Sequence, residues 1–91
     1  MAQIILTNGT TKDVQPKNGK KFSLSEAQKA VGGYVQLIRL DHQNIMLVNE
    51  DGKLQRSAKN LLATTVAHNF AAIFPNDFIV GDVLVCKNNE F

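Results

Sequence analysis

The period of the apolar positions changes several times along the chain, and each change marks an element. Ile4-Ile5-Leu6 is a short apolar run closed by Asn8-Gly9, which predicts a strand and a turn. Asp13 to Lys17 predicts a second strand, which Pro16 confines to an edge or an irregular arm. Asn18-Gly19 predicts another turn. The spacing then lengthens: Leu24, Ala27, Ala30 and Val31 recur at threes and fours, one face of a helix. Ser23, with Glu26 three residues on, forms a capping box, and Phe22 and Ala27 stand at the staple positions. Gly32-Gly33 predicts the helix stop, because a left-handed C-terminal turn costs glycine little.

Tyr34 to Leu40 alternates as a strand does, with Val35, Leu37 and Arg39 facing one way and Tyr34, Gln36, Ile38 and Leu40 the other. Asp41-His42-Gln43-Asn44 is a polar connection, and Ile45 to Val48 returns as the second strand of a hairpin. After the turn Asn49-Glu50-Asp51-Gly52, Lys53-Leu54-Gln55 predicts a short third strand. Ser57 or Asn60 caps a second helix whose buried stripe is Leu61, Leu62, Ala63, Val66, Ala67 and Phe70. Thr64 and Thr65 lower its intrinsic propensity, so packing has to stabilise it. Phe74-Pro75-Asn76-Asp77 ends that pattern. Phe78 to Cys86 reads as the last strand, bent at Gly81-Asp82. The polar tail from Lys87 is expected to fray. The expected fold is α+β: one small domain over 1–91, in the order β-β-α-β-β-β-α-β. Its sheet is mixed or mostly antiparallel, and its two helices lie mainly on one face.

Composition narrows the class. At 44 % hydrophobic and 20 % charged the chain is an ordinary globular one, not a disordered one. Its single cysteine, Cys86, excludes an internal disulfide framework. The N-terminus lacks the pattern of a signal peptide, and no apolar run approaches a membrane span, so a soluble, cytoplasmic protein is expected. The net charge of +2 is unevenly spread, with +4 over residues 1–39 and −2 over residues 40–91.

Over nearly its whole length the chain resembles the family of small proteins known as domain of unknown function 3846. The resemblance runs through Val14-Gln15-Pro16-Lys17-Asn18-Gly19, Phe22-Ser23-Leu24 and Val31-Gly32-Gly33-Tyr34-Val35. It continues through Val48-Asn49-Glu50-Asp51-Gly52-Lys53-Leu54, Asn60 with Ala63-Thr64, and Ile79-Val80-Gly81-Asp82-Val83-Leu84-Val85. It implies a short accessory protein of bacteria, phages or mobile elements. It brings no catalytic residues.

Candidate chemistry is sparse. His42, His68 and Cys86 are far apart in sequence and form no metal-ligand motif, so no metal or other cofactor is expected. Cys86 ends an apolar strand, where cysteine packs as a small hydrophobe, and an enzyme is not expected. Gly32-Gly33 leaves a helix instead of opening one, and so presents carbonyls where a phosphate cradle needs amides. Asn49-Glu50-Asp51-Gly52 lacks the later ligands of a calcium loop. What remains is a binding module for a host protein or a small anionic ligand. The polar turns would converge into a pocket with Arg56, Lys59 and Asn60 as the anion-binding residues. The alternative is a nucleic-acid-binding protein that contacts phosphates through Lys12, Lys17, Lys20 and Lys21. The short apolar first strand, if it lies at an edge, would allow a homodimer.

Overall fold

A computed structural model describes residues 2–91 of the chain. β1 (Ala2–Ile5) and β2 (Thr11–Val14) form a hairpin, followed by α1 (Leu24–Val31). A second hairpin, β3 (Val35–Arg39) and β4 (Asn44–Asn49), leads to α2 (Leu61–Asn69) and then β5 (Val83–Lys87). The five strands make one antiparallel sheet in the order β2-β1-β5-β4-β3. The last strand therefore enters the middle of the sheet and joins the two hairpins. No helix among the described residues is long and apolar enough to cross a membrane.

The capping box at Ser23 is present in full, with Ser23 Oγ accepting from Glu26 N–H and Glu26 Oε1 accepting from Ser23 N–H. Gly32 ends α1 in the left-handed conformation, with φ of 80°. Phe22 and Ala27 are buried in the same cluster. At the second helix the cap is Asn60, whose Oδ1 accepts from Ala63 N–H at 3.0 Å.

Three expectations need correction. First, the helices cover opposite faces of the sheet. Ile45 and Leu47 of β4 join Leu84 and Cys86 of β5 under Ala27 of α1. Met46 and Val48 join Val83 under Ala63 and Ala67 of α2. Strand side chains alternate between faces, so an unbroken apolar run needs a cover on each side. Ile45-Met46-Leu47-Val48 is such a run, all four residues buried. Second, Lys53-Leu54-Gln55 forms no strand. Local bonds take its backbone instead: Gln55 N–H donates to Asp51 O, Arg56 N–H to Lys53 O and Ser57 N–H to Gly52 O. Third, the C-terminal residues are docked. Asn88–Glu90 forms a 3-10 turn, Phe22 N–H donates to Glu90 O, and Phe91 packs on the α1-side cluster.

The second helix also buries less than its sequence suggests. Ala63 and Ala67 are its buried residues, while Leu61 and Phe70 are exposed. Its narrow small-residue face lies over β4 and β5, and β3 is left without a helix on that side.

Candidate functional site: an open cleft beside the third strand

The segment from α2 to β5 reverses sharply at Ala71, which adopts a left-handed φ of 53°. Ala72 and Ile73 then turn back onto the core, Phe74 to Asp77 forms a turn, and Lys59 bridges to Val80. This excursion stands off from β3 and leaves a cleft of about 1050 Å³. Its floor is Ile38 of β3 with Val48 of β4, and its walls include Leu54, Phe74 and Phe78. The rim is open, with Leu54 84 % and Phe74 78 % exposed.

One ion pair stands at the edge of the cleft. Lys53 pairs with Asp77, and that ammonium, followed by the N–H of Phe78, holds the Asp77 carboxyl below its usual range. Lys53 and Lys59 each place Nζ 4.6 Å from the centre of the Phe78 ring, within cation–π range. His68 Nε2 lies 2.9 Å from Asp77 O, which ties α2 to the same turn. The cleft is a largely apolar trough with the Lys53–Asp77 pair at its edge and Arg39 and Glu50 also on its border.

The anion pocket read from the sequence does not include Asn60. That residue is 0 % exposed, and its Nδ2 donates to Ile5 O and Gly81 O, each at 2.9 Å. With Oδ1 capping α2, the side chain is committed to joining β1, α2 and the approach to β5. Thr64 completes the junction, since its Oγ1 accepts from Ile79 N–H and donates to Asn60 O. A threonine that looks costly in a helix is here a cross-link to the next segment. Arg56, with a left-handed φ of 56°, and Lys59 are both exposed. Asn49 is a second buried asparagine, with Nδ2 donating to Val31 O and Gln55 Oε1 and Oδ1 accepting from Asp51 N–H.

The basic arm lies at the other edge of the sheet. Lys12 is on β2, and Lys17, Lys20 and Lys21 follow it, all exposed. The arm is held by its backbone: Lys17 N–H donates to Glu26 Oε2, and Lys20 and Lys21 N–H donate to Asn18 Oδ1. His68 and Cys86 belong to opposite faces of the sheet, so they cannot form a thiol–imidazole pair. Burial pushes the Cys86 thiol up to about 11, which keeps it protonated at neutral pH. Among the described residues no three His, Cys, Asp or Glu side chains converge. The cleft itself was missed because its parts are distant in sequence; the exposed Leu54 and Phe74 were the available signal.

Fold and site together define a small α+β domain with an antiparallel sheet between two helices and an apolar trough beside one edge strand. The chain belongs to the family described as domain of unknown function (DUF3846), whose profile matches residues 2–91. No curated protein and no solved structure matches it.

Proposed function

We propose that this chain is a non-enzymatic binding protein that holds a segment of a partner polypeptide in the cleft beside β3. The carrying observation is the pair of strongly exposed apolar side chains, Leu54 and Phe74, that border an open cleft whose floor is the partly buried Ile38 and the buried Val48. Enclosed pockets bury most of a small ligand, whereas an open apolar trough suits the side chains of a polymer that brings its own cover. The pairing of Lys53 with Asp77 favours a protein partner over a small anionic ligand, because the central ammonium is already neutralised. The setting in this reading is an accessory protein of a phage or mobile element acting on a host protein in the cytoplasm.

Selection of a displayed random-peptide library on the purified protein tests this reading. Enriched peptides should carry apolar or aromatic residues and should lose binding to Phe74→Asp. Peptides that bind that variant equally well, or a selection without enrichment, would overturn it. A salt-dependent shift of duplex DNA that Lys20→Ala and Lys21→Ala abolish would transfer the function to the basic arm.

A further inference from the structure

β3 has a strand on one side only, and the backbone shows what its free side offers. Glu50 N–H donates to Tyr34 O at one end of the β3–β4 ladder, and Leu40 N–H donates to Asn44 O at the other. With Gln36 opposite Val48 and Ile38 opposite Met46, these bonds fix the parity of the ladder. The even-numbered residues bond to β4. Val35, Leu37 and Arg39 therefore turn N–H and C=O outward, since bonding direction alternates along an antiparallel strand. β1, the short apolar strand that would have allowed a homodimer at an edge, is enclosed between β2 and β5.

The outward row is self-complementary. A two-fold axis through Leu37 sets Leu37 against its own copy, Val35 against Arg39, and Gln36 against Ile38. No like charges meet. The same operation brings Tyr34, 68 % exposed, opposite Leu40 of the second copy, and covers Leu37, 43 % exposed. Two exposures, one on β3 and one just before it, are thus explained by one symmetry element, and an isologous two-fold contact of this kind closes on itself.

We propose that two copies of this chain pair antiparallel through β3 about Leu37, extending the sheet across the interface and placing the two clefts side by side on one face. Gln36 of each copy then lies beside Ile38 of the other, so the floors of the two troughs adjoin. The pairing uses the outward backbone row of β3, and Leu37 and Arg39 of that row also border the cleft.

Sedimentation equilibrium over a concentration series tests the proposal. The unaltered chain should dimerise, and Leu37→Lys should weaken dimerisation by roughly tenfold or more, because two ammonium groups would then face each other. A second variant reads the geometry by gain instead of loss. Bonded antiparallel pairs have Cα atoms about 5.5 Å apart, within disulfide range. Leu37→Cys should therefore cross-link to its copy on mild oxidation much faster than Leu54→Cys, a more exposed position away from the axis, while Cys86 stays buried in both. A chain that remains monomeric throughout, a dimer that Leu37→Lys leaves intact, or equal cross-linking of the two cysteine variants would overturn the proposal.

Discussion

At one edge of the sheet β2 carries Thr11, Lys12 and Asp13, is followed by Pro16, and exposes nothing large and apolar. At the other, β3 carries Val35, Leu37 and Ile38 and lies beside an apolar cleft. Edge strands are templates for unwanted pairing, and charge and proline are the usual means of blunting them. β2 is the more strongly blunted, since Arg39 is the one charged residue on β3. The anchoring differs too. The chain around β2 is tied by exposed side chains to backbone amides: Asn8 to Thr10, Asn18 to Lys20 and Lys21, Glu26 to Lys17 and Ser23. The β3–β4 half is tied by the buried Asn49. One edge is finished for solvent, and the other presents an open row of hydrogen-bonding groups.

The largest test asks whether the two halves are separable. Asn60 Nδ2 holds Ile5 O at the end of β1 and Gly81 O before β5. Asn60→Ala removes a helix cap and strands two carbonyls, which should cost about 3 kcal/mol or more by chemical denaturation. Amide hydrogen exchange should quicken first in β1 and β2, with β3 and β4 protected longest. Faster exchange in β3 and β4 would show that the halves are not held independently.

Two adjacent glycines sharpen the contrast in anchoring. Gly32 needs its conformation: at φ 80° it has open space where a Cβ would sit. Gly33 needs its smallness: a Cβ there would meet Asn49 Nδ2 at 2.9 Å. Gly33→Ala should destabilise by about 1–3 kcal/mol through displacement of a buried, bonded side chain. Gly32→Ala should cost about 1–2 kcal/mol through left-handed strain alone. Asparagine separates the mechanisms, since it tolerates the left-handed region: Gly32→Asn should recover much of the loss, and Gly33→Asn none. Equal melting curves for the two asparagine variants would contradict the distinction.

These glycines also mark how far the sequence could be read. The pair was legible as a helix stop, and Ser23, Glu26 and the parity of Tyr34 to Leu40 were legible because capping and alternation are local. The two-sided cover of the sheet was written in Ile45 to Val48, but a short apolar run does not name the element that lies over it. The roles of Asn49, Asn60 and Thr64 were hidden for the opposite reason. Asn49 looks like a turn residue, Asn60 like a cap and Thr64 like a poor helix former, and the defining partners of each are distant in the chain: Val31, Ile5 and Gly81, and Ile79. The cleft combines both difficulties, since β3, the Leu54 turn and Phe74 meet only after the chain has folded.

A smaller effect on stability, with a large effect on assembly, comes from making β2 resemble β3. Leu6 N–H donates to Thr10 O, which by the same parity turns Thr11 and Asp13 outward. Asp13→Leu then stands where Leu37 stands on the other edge. The change should alter stability by no more than about 0.5 kcal/mol, as surface changes usually do. In the Leu37→Lys background it should restore concentration-dependent association, now through β2. In the unaltered background both edges can pair, and open-ended assemblies should appear by light scattering. A double variant that stays monomeric would mean that apolar character is not what distinguishes the edges.

The smallest effect is acid-dependent and bears on both sides of the sheet. Glu26 accepts from the backbone N–H groups of Ser23 and Lys17, in that order of importance, and its carboxyl lies below its ordinary value. Asp41, in the β3–β4 turn, is lowered by the backbone N–H of Gln43 and then by the side chain and backbone of Asn44. A carboxyl whose folded pKa is depressed contributes stability that is fully present above the unfolded value of about 4 and is lost as pH falls through the folded one. Both groups therefore stabilise at neutral pH, and both contributions fade below about pH 4. Because each group is solvent-exposed, the increments are small. Glu26→Gln and Asp41→Asn should each flatten the acid limb of the stability curve while leaving its shape above pH 6 unchanged. Local reporters then separate the sides: in acid, amide exchange should rise first at Lys17 and Ser23 for Glu26, and at Gln43 and Asn44 for Asp41. If Glu26→Gln leaves the acid limb of the Lys17 amide untouched, the carboxylate is not what holds the β2 arm against α1.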